Sequence, residues 1–251
     1  MNHLFLRNIP IIGRSLGEKL GKFKLCFVGC GLGGNIAVLA ARTGFRHFVL
    51  VDGDMVEKSN LNRQEFDHRD LGKPKVSSLK RRIKAINPQA QVKVFRRYVS
   101  MKSEILRVAG AANVIINTAD FSRGFFEVLE IVSERKKIAV VPLNVGFGSV
   151  VTVFDENNVR MFRKEHESPD EIHGFRLLLS KTRGRYKLPK YFAKIFKQMG
   201  TSKLIHTPQV GIAAELTAAL AVFVLLRAVS GNRLPMFPRN LAVDLEAVWS
   251  S

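Results

Sequence analysis

Three short stretches of the 251-residue chain carry residue types that suit three parts of one ligand. Gly29-Cys30-Gly31-Leu32-Gly33-Gly34 is a glycine turn of the kind that lets backbone approach phosphate closely. Val51-Asp52-Gly53-Asp54 sets two acids at the end of the next apolar run, where Asp52 suits ribose hydroxyls and Asp54 joins it in the nucleotide-binding set. Ser59-Asn60-Leu61-Asn62-Arg63-Gln64 offers Asn60 and Arg63 to phosphate oxygens. Lys75 adds a second cation, and Asp120, just past Val114-Ile115-Ile116, is a hard oxygen ligand suited to Mg2+. The pattern G-x-G-x-x-G at Gly29, Gly31 and Gly34, with Asp52 18 positions after it, also fits a nicotinamide or flavin site. A single pyrophosphate held on a helix amino terminus does not require Arg63, Lys75 and Asp120, so the combination reads as a site for ATP with its metal.

These residues need elements that deliver them to one edge. Lys24–Val28 is a short apolar run ending at glycine, Asn35–Arg42 continues as a helix closed by Gly44, and His47–Val51 is a second apolar run, which makes a βαβ unit. Apolar runs at Val92–Phe95, Asn113–Ile116 and Ile138–Val141 alternate with helical patterns at Val76–Ile86, Ile105–Ala109 and Arg123–Arg135. The alternation predicts an α/β fold, a doubly wound, mainly parallel, Rossmann-like sheet with ligands at the carboxyl ends of its strands. In the helix from Val76, the apolar spacing leaves Lys80, Arg81, Arg82 and Lys84 toward solvent. Gly146–Phe154 reads as a strand near the far end of the sheet, followed by a polar turn at Asp155–Asn158. From Arg160 to Leu204 the pattern weakens into a basic, irregular, partly mobile excursion. Gly211–Leu226 then forms an apolar helix at the core or a dimer interface, with Glu215 inside it and too short for a membrane span. One domain is expected: residues 1–154 the nucleotide-binding core, 155–206 the excursion, 207–251 the C-terminal helix and tail.

The net charge of +19 is concentrated. Leu71–Ser103 holds ten Lys/Arg and no acid, Ile172–Ala214 nine and no acid, which leaves 21 basic against 21 acidic residues elsewhere. Two readings fit: solvated lysine-rich faces, or a docking surface for an acidic partner, nucleic acid or protein. The two cysteines, Cys26 and Cys30, form neither a disulfide framework nor a zinc site. The first twenty residues lack the continuous apolar stretch of a secretory signal, so a reducing, cytoplasmic setting is expected. The six histidines show no metal-ligand spacing.

From about Gly17 to Phe154, and again over Thr207–Gly231, the chain resembles the ThiF/MoeB/HesA family, bacterial relatives of the ubiquitin-activating enzymes. The resemblance implies an adenylyltransferase that binds Mg-ATP and a protein's C-terminal carboxylate, which attacks the α-phosphate to give an acyl-adenylate and pyrophosphate. It implies that Gly29, Gly31 and Gly34 form the nucleotide turn, Asp52 binds ribose, Asn60, Arg63 and Lys75 hold phosphates, and Asp120 binds magnesium, with Gln64 in support. Arg7 resembles an arginine that reaches the nucleotide of a partner subunit, which implies a homodimer; the alternative is an ordinary surface arginine. The expected partner is a small ubiquitin-like or sulfur-carrier-like protein or peptide. No cysteine follows Cys30, so neither structural zinc nor an enzyme thioester is expected, and the sulfur-carrier substrate comes into doubt. Two alternatives stand beside this reading. One is an enzyme activating a carboxylate on tRNA, favoured by the basic blocks but not by Asn117–Asp120 or Pro142–Gly146. The other is a non-catalytic dinucleotide-binding module.

Overall fold

A computed structural model describes residues 3–99, 101–120, 123–165, 178 and 208–249. A short helical turn, α1 (Ile9–Ile12), leads into α2 (Arg14–Lys22), β1 (Lys24–Val28), α3 (Leu32–Thr43) and β2 (His47–Val51). Strands β1 and β2 pair in parallel from Lys24↔His47 to Val28↔Val51, so the glycine turn and Asp52 leave the same edge of the sheet side by side. Helix α3 begins at Leu32, three residues earlier than its apolar pattern, because the glycines themselves enter its first turn. Its C-terminus closes on Gly44 at φ +126°, a conformation that β-carbons disfavour.

Next come α4 (Lys75–Ile86), β3 (Gln91–Phe95), α5 (Lys102–Ala109), β4 (Val114–Asn117), α6 (Arg123–Glu134), β5 (Ile138–Val145) and β6 (Gly148–Phe154). The seven-stranded sheet has the order β3-β2-β1-β4-β5-β6-β7, where β7 is Leu241–Asp244. The first five strands run parallel; β6 is reversed against β5, and β7, antiparallel to β6, returns to the common direction. Strand order turns back between β1 and β4, and the crevice at that switch point is where ligands of open α/β sheets lie. Strand β4 is buried along its whole length, as a central parallel strand with helices on both faces should be.

Several expectations are corrected. Asp155–Asn158 is not a turn but the cap and first turn of α7 (Glu156–Glu165): Asp155 Oδ1 accepts from the amides of Asn157 and Asn158, and Asn158 Oδ1 accepts from the amide of Asp155. Val159 and Phe162 on this helix are buried, and Phe162 packs edge-on against Phe154 and Phe237 at centroid distances of 5.1 and 5.4 Å. The expected excursion therefore starts as a packed helix; apart from the buried Leu178, residues 166–207 lie outside the described residues. The C-terminal helix α8 runs Gly211–Val229, 19 residues rather than the shorter span expected, and is long and apolar enough by composition to cross a bilayer. It instead lays Ala213, Ala214, Ala218, Ala221 and Leu225 against β5, β6 and α3, where small side chains permit close approach. The final short helix is α9 (Leu245–Trp249). In α4 Lys80, Arg81 and Lys84 are exposed as expected, while Arg82 is half-buried; Arg81 and Arg82 both pair with the fully buried carboxylate of Asp70.

Candidate functional site

The turn after β1 is built so that backbone, not side chain, faces the crevice. Gly29 has φ +89°, and a Cβ there would lie 2.7 Å from the backbone of Thr118, which follows β4 across the switch point. A Cβ on Gly31 would meet the amide of Gln64 at 2.9 Å, and one on Gly34 would press Leu79 of α4 at 3.0 Å. The three glycines thus have three separate steric reasons. Helix α3 starts at this turn with no side-chain cap, leaving its first N–H groups for an anion.

Asp52 is nearly buried, with Oδ2 accepting from the Cys30 amide and Oδ1 from the Asp54 amide, each at 2.7 Å. Burial pushes its pKa up, and those backbone donors and Lys75 offset only part of that. The remaining lone pairs of the ionised group suit ribose hydroxyls. Only the ionised form is an all-acceptor, so nucleotide affinity is expected to fall on acidification, beginning above the ordinary aspartate range. Calorimetric titrations over a pH series check this; affinity flat down to the ordinary aspartate range would contradict it.

Asp54 ties two groups together. Its Oδ2 accepts from Lys75 Nζ at 2.8 Å, and its Oδ1 from the hydroxyl of Tyr98. Burial pushes the Asp54 carboxyl up, but hydrogen bonds from Lys75 and Tyr98 and the charge of Lys75 outweigh it and hold it low. Lys75 is nearly buried, and among the described residues Asp54 is the partner of its ammonium, so the cation is aimed and desolvated before any ligand arrives.

The Ser59–Gln64 segment is a tight loop. Asn60 is buried and its Oδ1 caps the loop by accepting from the Glu57 amide, so Asn60 shapes the loop as well as offering its Nδ2. Arg63 is clamped on one side: Nε donates to Gln209 Oε1 at 2.7 Å, and Nη1 donates to the Ser59 carbonyl at 2.7 Å and to Asn62 Oδ1 at 3.0 Å. Asn35 of α3 holds the loop from behind, donating to the Arg63 carbonyl at 3.1 Å and to Glu215 of α8 at 2.9 Å. Gln64 lies against Gly31, and among the described residues its buried Oε1 has no hydrogen-bond partner.

The structure therefore links Gly29, Gly31, Gly34, Asp52, Asp54, Asn60, Arg63, Gln64 and Lys75 in one contiguous arrangement. Asp120 stands at the adjacent strand end, exposed and without a hydrogen-bonding or ionic partner among the described residues. No group of three or more potential metal-binding side chains occurs among the described residues, and the lone Asp120 carboxylate is a hard oxygen donor of the kind Mg2+ takes. Arg7 is not brought to this set in its own chain. Its neighbour Asn8 donates to the carbonyls of Arg42 and Thr43 at the far end of α3, a helix about 18 Å long by its twelve residues. Tyr98, Thr118 and Gln209 touch this arrangement, bonding Asp54, the Gly29 carbonyl and Arg63 respectively. They went unnoticed because each contact joins residues distant in sequence, Arg63 to Gln209 across 146 positions.

Both cysteines are fully buried; burial pushes the Cys26 thiol up to about 12 and raises that of Cys30 as well. Neither is a nucleophile at neutral pH. Native protein is expected to take up no iodoacetamide over an hour while denatured protein takes two equivalents, read by mass spectrometry. Rapid native labelling would contradict the packing.

Residues 5–246 match the ThiF family. The probable molybdopterin-synthase adenylyltransferase of Gracilaria tenuistipitata var. liui is 29% identical over 155 residues, 61% of this chain and 42% of that protein. The tRNA threonylcarbamoyladenosine dehydratase of Bacillus subtilis is 39% identical over 94 residues, 37% of each chain. The matches thus span less than half the length of these curated relatives. E. coli MccB, solved with AMPCPP and MccA, superposes with a TM-score of 0.72 at 17% identity over 98% of this chain and 69% of that one, a likeness of fold. With this sheet, this glycine turn and a match across almost its whole length, the chain belongs to the ThiF family.

Proposed function

We propose that the chain is an ATP-dependent adenylyltransferase that activates a carboxylate presented by a small ubiquitin-like or sulfur-carrier-like protein or a peptide. The carrying observation is that two preset cations flank the glycine turn: Lys75, held by Asp54, whose amide bonds the Asp52 carboxylate that also binds Cys30, and Arg63, held by Gln209 on the loop whose Gln64 lies against Gly31. A carboxylate is already ionised at neutral pH and needs no protein base. One of its oxygens forms a bond to the α-phosphorus, the bond to the bridging oxygen breaks, and pyrophosphate leaves. The protein's work is then alignment and charge compensation. Asp52 fixes the ribose, the uncapped turn of α3 receives phosphate, and Arg63 and Lys75 counter the charge that grows on the leaving group. Asp120 would hold Mg2+, which when bound neutralises phosphate charge. Arg7 supports a homodimer only in trans, given its place at the far end of α3.

Chain similarity supports the choice of partner: MccB is solved with MccA, and the SAMP-activating enzyme E1 of Haloferax volcanii is 33% identical over 91 residues. ATP–pyrophosphate exchange stimulated by carrier proteins or peptides with free C-termini, and absent with amidated C-termini, is the expected result. Exchange indifferent to the free carboxylate would oppose the reading.

The second reading, activation of a carboxylate on tRNA, draws on the Bacillus subtilis relative and on the exposed Lys80, Lys84, Lys93, Arg96 and Arg97 around α4 and the edge strand β3. Filter binding to tRNA over a salt series separates the two, since phosphate contacts weaken steeply with salt.

A further inference from the structure

Beside Asp52 and Asp54 stands an exposed aromatic ring. Tyr98 lies three residues past β3 and keeps 72% of its surface exposed. It is nonetheless fixed: its hydroxyl donates to Asp54, and its ring lies on Gly53, where a Cβ would come within 2.7–2.8 Å of three ring carbons. The ring can lie there only because position 53 has no side chain, and it joins the segments that follow β3 and β2.

The sheet order sets what lies there. With phosphates at the turn after β1 and the ribose at Asp52 after β2, the nucleotide runs outward along β1, β2 and β3, so its base falls one strand further, over β3. We propose that Tyr98 is the platform on which the base of the nucleotide stacks, a base-recognition residue that acts by ring contact. The inference rests on the ATP reading. An anchored ring gives contact area with little rotamer freedom left to lose, and every purine offers a face to stack. The hydroxyl that anchors the ring ends on the same carboxylate as Lys75, so base and phosphate recognition share Asp54.

The test is calorimetry with AMPCPP and with ribose 5-triphosphate, which lacks the base, on the full chain and on Tyr98→Phe and Tyr98→Leu. Both replacements are at an exposed position, and thermal melts check that they fold. Tyr98→Leu is expected to weaken AMPCPP roughly ten- to a hundredfold and Tyr98→Phe by no more than about threefold, the scale of base–aromatic stacking. Ribose 5-triphosphate should bind all three alike. Unimpaired AMPCPP binding by Tyr98→Leu overturns the proposal, as does equal weakening of both ligands, which would assign Tyr98 to holding Asp54 and Lys75. Failure of the unaltered chain to bind AMPCPP overturns the ATP reading, and the platform with it; the other outcomes remove the platform alone.

Discussion

Lys75→Ala and Arg63→Ala are each expected to lower the rate of ATP–pyrophosphate exchange roughly a hundredfold or more, a few kcal/mol of barrier, while the thermal midpoint stays within a few degrees. The size follows from the environment. Lys75 is aimed and nearly stripped of water, and Arg63 is fixed by Gln209, the Ser59 carbonyl and Asn62, so neither has to be reorganised when charge moves onto the leaving pyrophosphate. Asp120→Ala should lose exchange on the same scale, with added sensitivity to magnesium concentration, because this exposed carboxylate has no hydrogen-bonding or ionic partner among the described residues. Lys75→Arg is the informative companion: the charge is kept, but a bulkier planar fork replaces a compact ammonium at a nearly buried position, and little recovery is expected. Exchange persisting in all three alanine variants would remove the assignment of these groups.

The second large effect concerns Gly29. An alanine there keeps a positive φ that costs about 1–3 kcal/mol, and its methyl would fall 2.7 Å from the fixed backbone of Thr118, forcing β1 and β4 apart at the switch point. At about 2 kcal/mol the thermal midpoint should drop by roughly 4–8 °C for a chain of this size. Nucleotide affinity should fall with it, since the opened crevice no longer presents the first turn of α3. Gly13, also at positive φ but with nothing within 4 Å of its Cβ position, is the control: Gly13→Ala carries the backbone strain without the collision. Equal loss in the two variants would mean the crevice contact adds nothing.

How much of this was legible in sequence depends on where the determining contact lies. The βαβ unit was readable because glycine, short apolar runs and helix closure at Gly44 are local signals. Helix α4 was readable from Val76, Leu79 and Ile83, all fully buried in the fold. The helix α7 was misread because Asp155 and Asn158 look like turn residues when the reciprocal hydrogen bonds between them are not visible; the spacing of Val159 and Phe162 was the available clue. Strand β7 is four residues long and exists through its pairing with β6, nearly a hundred residues earlier, a contact no local pattern announces. At the site, residue types identified the cations and acids, but not that Asp54 joins Lys75 to Tyr98 or that Gln209 clamps Arg63. The charge pattern placed Arg81 and Arg82 on the outer side of α4 but gave no sign of their shared ion pair with Asp70, which sits immediately before the basic block.

The central claim is that one crevice, between the turn after β1 and the Arg63 loop, holds the triphosphate. A crystal structure of the chain with AMPCPP and magnesium tests it most directly. Phosphate oxygens are expected within hydrogen-bonding distance of the amides at Gly31–Gly33, Arg63 and Lys75, and ribose hydroxyls on Asp52. Phosphates lying away from both cations, or a ribose away from Asp52, would contradict it.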